Sequence, residues 1–451
     1  MVLKTENLGL RIPKDGNTIF EKLSFELNEG ETGFVSGPAG SGKSTLGLAL
    51  CGFLPLWAGS WDITGTIFLN GKLLEQGSNP AGTGMILENP YTQISGLKRT
   101  IFHELAFPLE CSGVSPEEMP SIILKYAELL EISHLLDRSI RTLSGGELQR
   151  VHIAGTLMTQ PRFLFFDRPL TEIDFEFRPV LMDIVCSSIK QTGAAALIAE
   201  DPWLLQKDSF DKEIVLGKKG DVEQTEWHQP VHTVNVASHI PQKAVLSVES
   251  LAFYYEADKP VLDNCSFSLG NGDITLVTGP NGSGKTTLAR LIAGIIKPAR
   301  GAIILDGSPI DTMEEWEIMT AVGLALQDPG LHLCRKTVGA ELELARKWGN
   351  APGKYVELLG LDRLLDIHPL ELSQAEKKRL GMALACGIQR KLLILDEPTQ
   401  YQDAEGFGRM VNAIITLAGE GRALLIISHD PRLFKVFPDA GIIHLSRADI
   451  S

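Results

Sequence analysis

The sequence predicts an α/β fold that is built twice along the chain. Two motifs support this prediction, because each occurs twice. The glycine-rich loop Gly37–Ser44 returns 242 residues later as Gly279–Thr286, and the short motif Leu143–Glu147 returns 229 residues later as Leu372–Glu376. In both copies, short apolar runs of strand character alternate with helix-like stretches, which is typical of an α/β domain.

Length and composition indicate a globular protein with more than one domain. The chain has 451 residues, of which 44% are hydrophobic and 22% charged, and its formal net charge is −14. This acidic surplus disfavours a dedicated nucleic-acid-binding protein. No apolar run reaches the roughly 20 residues that span a bilayer, and the first residues lack a secretory signal, so we expect the protein in the cytoplasm. The six cysteines are scattered without a CxxC motif or a Cys/His cluster, which indicates neither zinc nor iron–sulfur.

Each glycine-rich loop lies between a predicted strand and a predicted helix. The strands are Thr32–Ser36 and Ile274–Thr278, and the helices are Ser44–Cys51 and Thr286–Ala293. Two dipeptides are typical of hairpin turns in β-rich stretches, namely Asn70-Gly71 and Asp306-Gly307. We predict a first domain over residues 1–222, a polar linker over 223–244 and a second domain over 245–451.

Both loops match the pattern GxxxxGK[S/T], which cradles phosphates where it follows a strand and opens a helix. Glycines let successive backbone N–H groups face a phosphate chain, and the helix N-terminus adds a favourable dipole. Lys43 and Lys285 would reach the β and γ phosphates, while Ser44 and Thr286 would hold Mg²⁺. The predicted nucleotide-binding residues are Gly37, Pro38, Ala39, Gly40, Ser41, Gly42, Lys43, Ser44 and Thr45 in the first copy, and Gly279, Pro280, Asn281, Gly282, Ser283, Gly284, Lys285, Thr286 and Thr287 in the second.

An aspartate ends a fully apolar run in each copy. Asp167 follows Phe163–Phe166, and Asp396 follows Leu392–Leu395. An aspartate at the end of such a strand completes the Mg²⁺ site of phosphate-loop proteins. The alternative is an ordinary buried strand with a capping aspartate, and the LSGGE motif at a fixed distance before Asp167 disfavours it.

With the motif Leu143-Ser-Gly-Gly-Glu147 added, both copies resemble the ATP-binding cassette (ABC) family over nearly the whole chain. The resemblance implies two P-loop NTPase domains, each with a RecA-like core, a β-rich subdomain and a helical subdomain, and it implies ATP and Mg²⁺ as cofactors. In that family two cassettes pair head to tail. The signature of one, here Ser144, Gly145 and Gly146, then faces the phosphate loop of the other, where small residues let the backbone approach the γ-phosphate.

The second copy contains every catalytic residue that the resemblance implies. Glu397 matches the general base, Gln327 the glutamine that senses Mg²⁺ and water, and His429 the switch histidine near the γ-phosphate. Tyr255 is placed like the aromatic residue that stacks on adenine. The implied catalytic set is therefore Glu397, His429, Gln327 and Lys285, and the implied metal ligands are Thr286, Asp396 and Gln327.

The first copy departs at the same positions. Arg168 stands in place of the general base, Glu200 in place of the histidine and Glu88 in place of the glutamine. Ile12 occupies the place of the stacking aromatic residue, with a gap of one residue in the alignment. The signatures show the reverse pattern, because the second copy has Gln374 and Ala375 where the first has glycines.

Head-to-tail pairing within the chain would collect all of these losses in one composite ATP site and leave the other complete. We expect the degenerate site to bind nucleotide through Lys43, Ser44 and Asp167 but hardly to hydrolyse it, since loss of a general base costs about 10²–10⁴ in rate. Drift after duplication is the alternative explanation of the losses, and it is compatible with this expectation.

Two stretches of the first copy, Gly84–Gln93 and Glu104–Glu110, resemble the ATPases of energy-coupling-factor and cobalt-type importers. This resemblance implies integral membrane partners, namely a transmembrane coupling protein and a substrate-binding membrane protein, at the cytoplasmic face of the cell membrane. The cargo would be a vitamin or its precursor, of the thiamine type, or else cobalt or nickel. The alternative is a soluble tandem-cassette ATPase that acts in translation or on nucleic acid. Such proteins carry basic, iron–sulfur, zinc or coiled-coil insertions that this sequence lacks, so no nucleic acid is expected.

Overall fold

A computed structural model describes most of the chain, in two compact units, Met1–Trp227 and His228–Ser451. The described residues are 1–11, 18–38, 40–54, 61–75, 82–174, 177–201, 210–217, 244–256, 259–280, 282–347, 353–386 and 390–445. The predicted linker lies outside them except for Ala244, which already begins a strand. The predicted domain boundaries therefore stay a prediction. Within the described residues, no helix is both long enough and apolar enough to cross a membrane.

The first unit combines a four-stranded antiparallel sheet, a five-stranded parallel sheet and a set of helices. Its strands are β1 (Leu3–Arg11), β2 (Thr18–Leu27), β3 (Thr32–Ser36), β4 (Asp62–Leu69), β5 (Lys72–Leu73), β6 (Thr83–Ile86), β7 (Phe163–Asp167), β8 (Ala195–Ala199) and β9 (Lys212–Val215). Its helices are α1 (Lys43–Leu50), α2 (Ile101–Cys111), α3 (Met119–Leu129), α4 (Gly145–Met158) and α5 (Arg178–Thr192).

The second unit repeats this architecture. Its strands are β10 (Ala244–Glu256), β11 (Lys259–Gly270), β12 (Ile274–Thr278), β13 (Arg300–Leu305), β14 (Ser308–Pro309), β15 (Val322–Ala325), β16 (Leu392–Asp396), β17 (Ala423–Ile427) and β18 (Gly441–His444). Its helices are α6 (Lys285–Ile292), α7 (Glu315–Ala321), α8 (Val338–Lys347), α9 (Gly353–Leu358), α10 (Gln374–Cys386), α11 (Ala404–Gly419) and α12 (Pro431–Val436).

The strand orders of the two units correspond one to one. The antiparallel sheets run β2-β1-β4-β5 and β11-β10-β13-β14, and the parallel sheets run β6-β7-β8-β3-β9 and β15-β16-β17-β12-β18. The predicted turns close the hairpins β4–β5 and β13–β14, where Asn70 and Asp306 have φ angles of 50° and 49°. These observations confirm the predicted α/β fold, built twice with a parallel core, a β-rich part and a helical part.

Both phosphate-loop helices begin one residue earlier than the sequence predicts. Gly42 and Gly284 precede α1 and α6 in the left-handed conformation, with φ of 91° and 92°, so the lysine is the first helical residue. At the start of each loop the backbone is crowded. A Cβ atom on Gly279 would clash with the carbonyl oxygen of Leu445, and its φ is 142°, which only glycine adopts readily.

The two fully apolar runs of the sequence form the buried strands β7 and β16, which are covered on both faces of the parallel sheets. All five residues of β7 and of β16 are buried. In each unit one face of the parallel sheet packs against the helical layer and the other against the antiparallel sheet and the phosphate-loop helix. Each unit therefore has a core on both faces of its parallel sheet, and these two cores hold the carboxyl ends of the parallel strands in one row.

The packing between the phosphate-loop helix and the neighbouring strand differs between the units. In the first unit Gly47 on α1 lies directly against the ring of Phe165 on β7, and a Cβ on Gly47 would clash with that ring. At the matching positions of the second unit stand Ala289 and Ile394, both buried in one core. A smaller helix residue is thus combined with a larger strand residue, which conserves the filled volume.

We expect Gly47→Ala to destabilise the first unit by about 1 kcal/mol. Overpacking a core costs about 1–3 kcal/mol, and the gain in helix propensity of up to about 1 kcal/mol offsets only part of it. Differential scanning calorimetry should show a lower transition temperature. The double variant Gly47→Ala/Phe165→Ile, which copies the second unit, should lose less stability than the two single variants together. Additive effects would contradict this account of the packing.

Candidate functional site

In each unit the phosphate loop and the residues at the predicted metal-binding and catalytic positions follow or end the parallel strands, at their carboxyl ends. The phosphate loop follows β12 in the second unit, and Asp396 is the last residue of β16. Two further strands, β15 and β17, end next to them, before Gln327 and His429. Ligands of open parallel sheets bind at this edge, and the structure brings Lys285, Thr286, Asp396, Glu397 and His429 together there.

The lysine and threonine of the second phosphate loop are positioned by specific contacts. Lys285 is buried and donates hydrogen bonds to the carbonyl oxygens of Gly279 and Pro280, at 2.6 and 2.9 Å. Thr286 Oγ1 donates to Asp396 Oδ2 at 3.2 Å. A hydroxyl and a carboxylate held this close supply the hard oxygen ligands that Mg²⁺ prefers, so these two residues fit the predicted metal site.

Glu397 is held by groups at the end of the neighbouring strand. Its Oε2 accepts hydrogen bonds from Ser428 Oγ at 3.2 Å and from the His429 backbone N–H at 3.4 Å, and its Oε1 lies 3.8 Å from His429 Nε2. Its φ of 48° is unusual for a residue with a side chain. Burial, and then the nearby Asp396 carboxylate, raise the pKa of Glu397 to about 7. A carboxyl group with a pKa near the working pH is suited to general-base catalysis.

Two further predicted residues of the second unit, Tyr255 and Gln327, are exposed. Tyr255 is 59% exposed, packs edge-to-face against Phe253 and places its hydroxyl 3.3 Å from Thr287 Oγ1. An exposed ring beside the phosphate-loop helix can stack on a base. Gln327 is exposed and follows β15 by two residues.

Two residues near the cluster were not predicted from the sequence. Ser428 supports Glu397 as described above. Lys378, on α10, is buried and donates to the backbone carbonyl of Asp396 at 3.4 Å, and its charge opposes the increase in the pKa of both Asp396 and Glu397. The sequence does show a lysine inside the helix that follows the signature motif. Its position alone did not predict a role at the site, because the spacing does not show which face of that helix is buried.

The phosphate loop of the first unit repeats the same local contacts. Lys43 is buried and donates to the carbonyl oxygens of Gly37 and Pro38 at 2.6 and 3.1 Å. Asp167 is buried, which raises its pKa, and a hydrogen bond with Ser44 acts in the opposite direction. Ser44 and Asp167 therefore fit Mg²⁺ by the same criterion as their counterparts.

The residues at the altered positions of the first unit contact one another. The guanidinium group of Arg168 forms ion pairs with Glu88 at 3.4 Å and with Asp201 at 3.6 Å, and its side chain is only 9% exposed. Burial disfavours the charge of Arg168, but Asp201 and Glu88 raise its pKa above the ordinary value. Burial raises the pKa of Glu88 to about 7, against the effect of Arg168. We call Glu88, Arg168, Glu200 and Asp201 the Arg168 cluster.

Glu200 completes the Arg168 cluster through the backbone. Its two carboxyl oxygens accept hydrogen bonds from the N–H groups of Leu170, at 3.0 Å, and Asp201, at 2.9 Å. Burial, and then the nearby Asp201, raise the pKa of Glu200 to about 7. Asp201 was not predicted, although the repeat contained the signal, since Glu200-Asp201 matches His429-Asp430 at the 229-residue offset.

The two signature motifs begin their helices in the same way. The Oγ atoms of Ser144 and Ser373 accept hydrogen bonds from the backbone N–H groups of Glu147 and Glu376. In return, the carboxylates of these glutamates accept hydrogen bonds from the backbone N–H groups of the two serines. A Cβ atom on Gly145 would lie 2.5 Å from Glu172 Oε2, so a larger residue there would displace the end of that side chain. In the second signature Ala375 is buried and Gln374 is partly buried.

Three positions that the sequence analysis discussed lie outside the described residues. They are the phosphate-loop residues Ala39 and Asn281, and Ile12 at the place of the stacking aromatic residue.

A protein-family model described as ABC transporter matches residues 20–171 and 262–400, one match in each unit. The chain belongs to the ABC transporter family. Each unit is therefore an ATP-binding cassette of an ABC ATPase, and such domains bind ATP with Mg²⁺.

Similar proteins extend over nearly the whole chain. A Bacillus subtilis (strain 168) protein, YkoD, whose name provisionally describes it as an HMP/thiamine import ATP-binding protein, is 30% identical over 98% of this chain and 89% of its own length. A protein of Vibrio vulnificus (strain CMCP6), provisionally named an ABC transporter ATP-binding protein, is 28% identical over 98% of this chain and 88% of its own length.

Two solved structures are similar in fold. A model of ribosome-bound archaeal Pelota and ABCE1 contains a chain with a TM-score of 0.70 and 18% identity, over 97% of this chain and 76% of that one. An RNase-L inhibitor has a TM-score of 0.66 and 20% identity, and the match covers 96% of this chain and 86% of that one. At this identity the likeness shows the tandem-cassette fold alone.

We expect Arg168→Met to destabilise the first cassette by about 3 kcal/mol, because Glu88 and Asp201 would lose a buried cationic partner. Hydrogen–deuterium exchange of the β7 amides reports the opening free energy of this cassette separately. The matched control Arg409→Met breaks an exposed pair with Glu405 on α11; measured on the β16 amides of its own cassette, it should change stability by at most about 0.5 kcal/mol. Equal effects of the two variants would show that the Arg168 ion pairs contribute nothing.

Proposed function

We propose that this protein is the ATP-hydrolysing subunit of a membrane importer of the energy-coupling-factor type, with a thiamine-type vitamin or precursor as cargo. The observation that supports hydrolysis is the arrangement of Glu397 beside the Thr286–Asp396 pair and Lys285 in the second cassette. Similarity over 98% of the chain to a protein named for HMP/thiamine import supports the transport role.

The second cassette has the groups that phosphoryl transfer to water needs, namely charge neutralisation and an oriented water molecule. Mg²⁺, when bound, would neutralise charge on the β and γ phosphates. Lys285 would bind the same phosphates, and Tyr255 would stack on the adenine. Glu397, fixed by Ser428 and the His429 backbone, would accept the proton of the attacking water.

We further propose that the two cassettes pair head to tail, as the family resemblance implies. The glycines of the first signature, Gly145 and Gly146, would then complete the site of the second cassette. The second signature, with Gln374 and Ala375, would face the altered first site. This distribution of substitutions along the chain supports one competent and one degenerate ATP site, and each cassette would be indispensable to the competent site.

The proposed partners are a transmembrane coupling protein and a substrate-binding membrane protein. The helical parts of the cassettes, within residues 94–140 and 331–370, contain α2, α3, α8 and α9. They would receive the membrane subunits at the cytoplasmic face. The likeness to a chain in a ribosome-bound complex supports only the fold, so a role in translation is an outcome of the test below.

Glu397→Gln should lower the ATPase rate by about 10²–10⁴, because the general base would be lost while the shape of the side chain is kept. The steady-state rate of phosphate release measures this. The control Glu405→Gln, the same chemical change at an exposed position of α11, should leave the rate unchanged. If substantial turnover survived in Glu397→Gln, the first cassette would hydrolyse ATP and the proposed asymmetry would be wrong.

Affinity purification from detergent-solubilised cells tests the transport role. We expect the tagged chain to carry small integral membrane proteins that mass spectrometry identifies. Recovery with ribosomal subunits instead, in a sucrose gradient, would contradict the importer proposal and favour the translation alternative.

A further inference from the structure

We infer that the first cassette holds a nucleoside diphosphate and discriminates against a nucleoside triphosphate. This inference rests on the proposed function, because it takes the positions around Glu397 in the second cassette to mark the place of the terminal phosphate. It concerns which nucleotide the first phosphate loop selects, which is a separate question from whether that cassette hydrolyses ATP.

The part of the first cassette that cradles the inner phosphates is intact. Gly37 keeps the crowded, left-handed approach of its counterpart, with φ of 152°, and a Cβ there would clash with the Leu216 carbonyl. Lys43 makes the same two carbonyl contacts as Lys285. Ser44 and Asp167 remain hydrogen-bonded. Nothing in these contacts disfavours an α- and β-phosphate with its metal ion.

The substitutions cluster instead at the end that would meet the terminal phosphate. Glu88, Arg168 and Glu200 follow the adjacent strands β6, β7 and β8, where the second cassette has a glutamine, a glutamate and a histidine. Two neutral side chains that can donate hydrogen bonds to a phosphate are thereby replaced by carboxylates, which accept them when ionised. Glu88 also lies close enough to Lys43 and Asp167 to be affected by both charges.

The one added cation does not compensate a terminal phosphate. Arg168 is directed to Glu88 and Asp201, at 3.4 and 3.6 Å, so its guanidinium group already neutralises carboxylates of the cluster. In addition, Gln149 stands at the position of the buried Lys378 of the second cassette. A γ-phosphate would therefore lose the two hydrogen-bond donors that Gln327 and His429 offer in the second cassette, while the guanidinium group of Arg168 is already engaged by two carboxylates.

Isothermal titration calorimetry on the full chain tests the inference. The variant Lys285→Ala impairs the second phosphate loop and leaves the first as the principal site. With MgADP and MgATP as probes, we expect ADP to bind at least about tenfold more tightly than ATP. In Lys43→Ala, which leaves the second loop, ATP should bind at least as tightly as ADP. Equal affinities for the two nucleotides in Lys285→Ala, or a preference for ATP, would overturn the inference.

A triple substitution tests whether the Arg168 cluster causes the preference for ADP. Glu88→Gln/Arg168→Glu/Glu200→His, added to Lys285→Ala, gives the first cassette the residues of the second, and it should raise ATP affinity to at least that of ADP. An unchanged preference for ADP would show that the Arg168 cluster does not set it. The control Glu128→Gln, an exposed change on α3, should keep the ADP preference.

The wild-type chain provides a measurement that does not depend on the folding of any variant. We expect two MgADP molecules per chain but one molecule of the non-hydrolysable analogue MgAMP-PNP at moderate concentration. Two analogue molecules bound with equal affinity would overturn the inference. These experiments measure binding and not turnover, so they are independent of the Glu397→Gln result and of the co-purified partners.

Discussion

The parallel pairing of the strands around the phosphate loop is the constraint on which both cassettes depend. In the second cassette β16 pairs with β17, and β17 pairs with β12, which leads into the loop. Residues more than 100 positions apart therefore end at one edge, so that Thr286 reaches Asp396. The crowded glycine at the start of the loop and the carbonyl contacts of Lys285 hold the loop against this edge. Loss of register by one residue would move Asp396 to the opposite face of the sheet.

The changes in the first cassette form a connected set rather than separate losses. When every carboxylate is ionised and His429 is neutral, the three exchanged positions carry the same formal net charge in both cassettes. In the first cassette the guanidinium group of Arg168 forms ion pairs with the carboxylates of Glu88 and Asp201. In the second cassette Asp430 pairs with Arg432 at 2.7 Å instead, and the sequence has Trp203 at the matching position of the first. Exchange of partners in this way lets buried charges remain paired, since an unpaired one is costly.

The same adjustment occurs in the core below the site. Gly47 and Phe165 in one cassette correspond to Ala289 and Ile394 in the other, and both pairs fill the space between helix and strand. The two copies have therefore changed their side chains in pairs while keeping one backbone arrangement. A similar chain-long fold in proteins of 18–20% identity is consistent with a backbone that tolerates extensive exchange of side chains.

The sequence by itself determined the repeat, the α/β fold, the phosphate loops, the aspartates that end buried strands and the positions at which the copies differ. It did so because these features are local, as a glycine spacing, a period of hydrophobicity or a turn dipeptide is. Only the tertiary structure decided that Arg168 pairs with Glu88 and Asp201, that Ser428 supports Glu397 and that Lys378 is buried beneath Asp396. These contacts join different strands and helices, and no local pattern specifies which side chains meet when the strands pair.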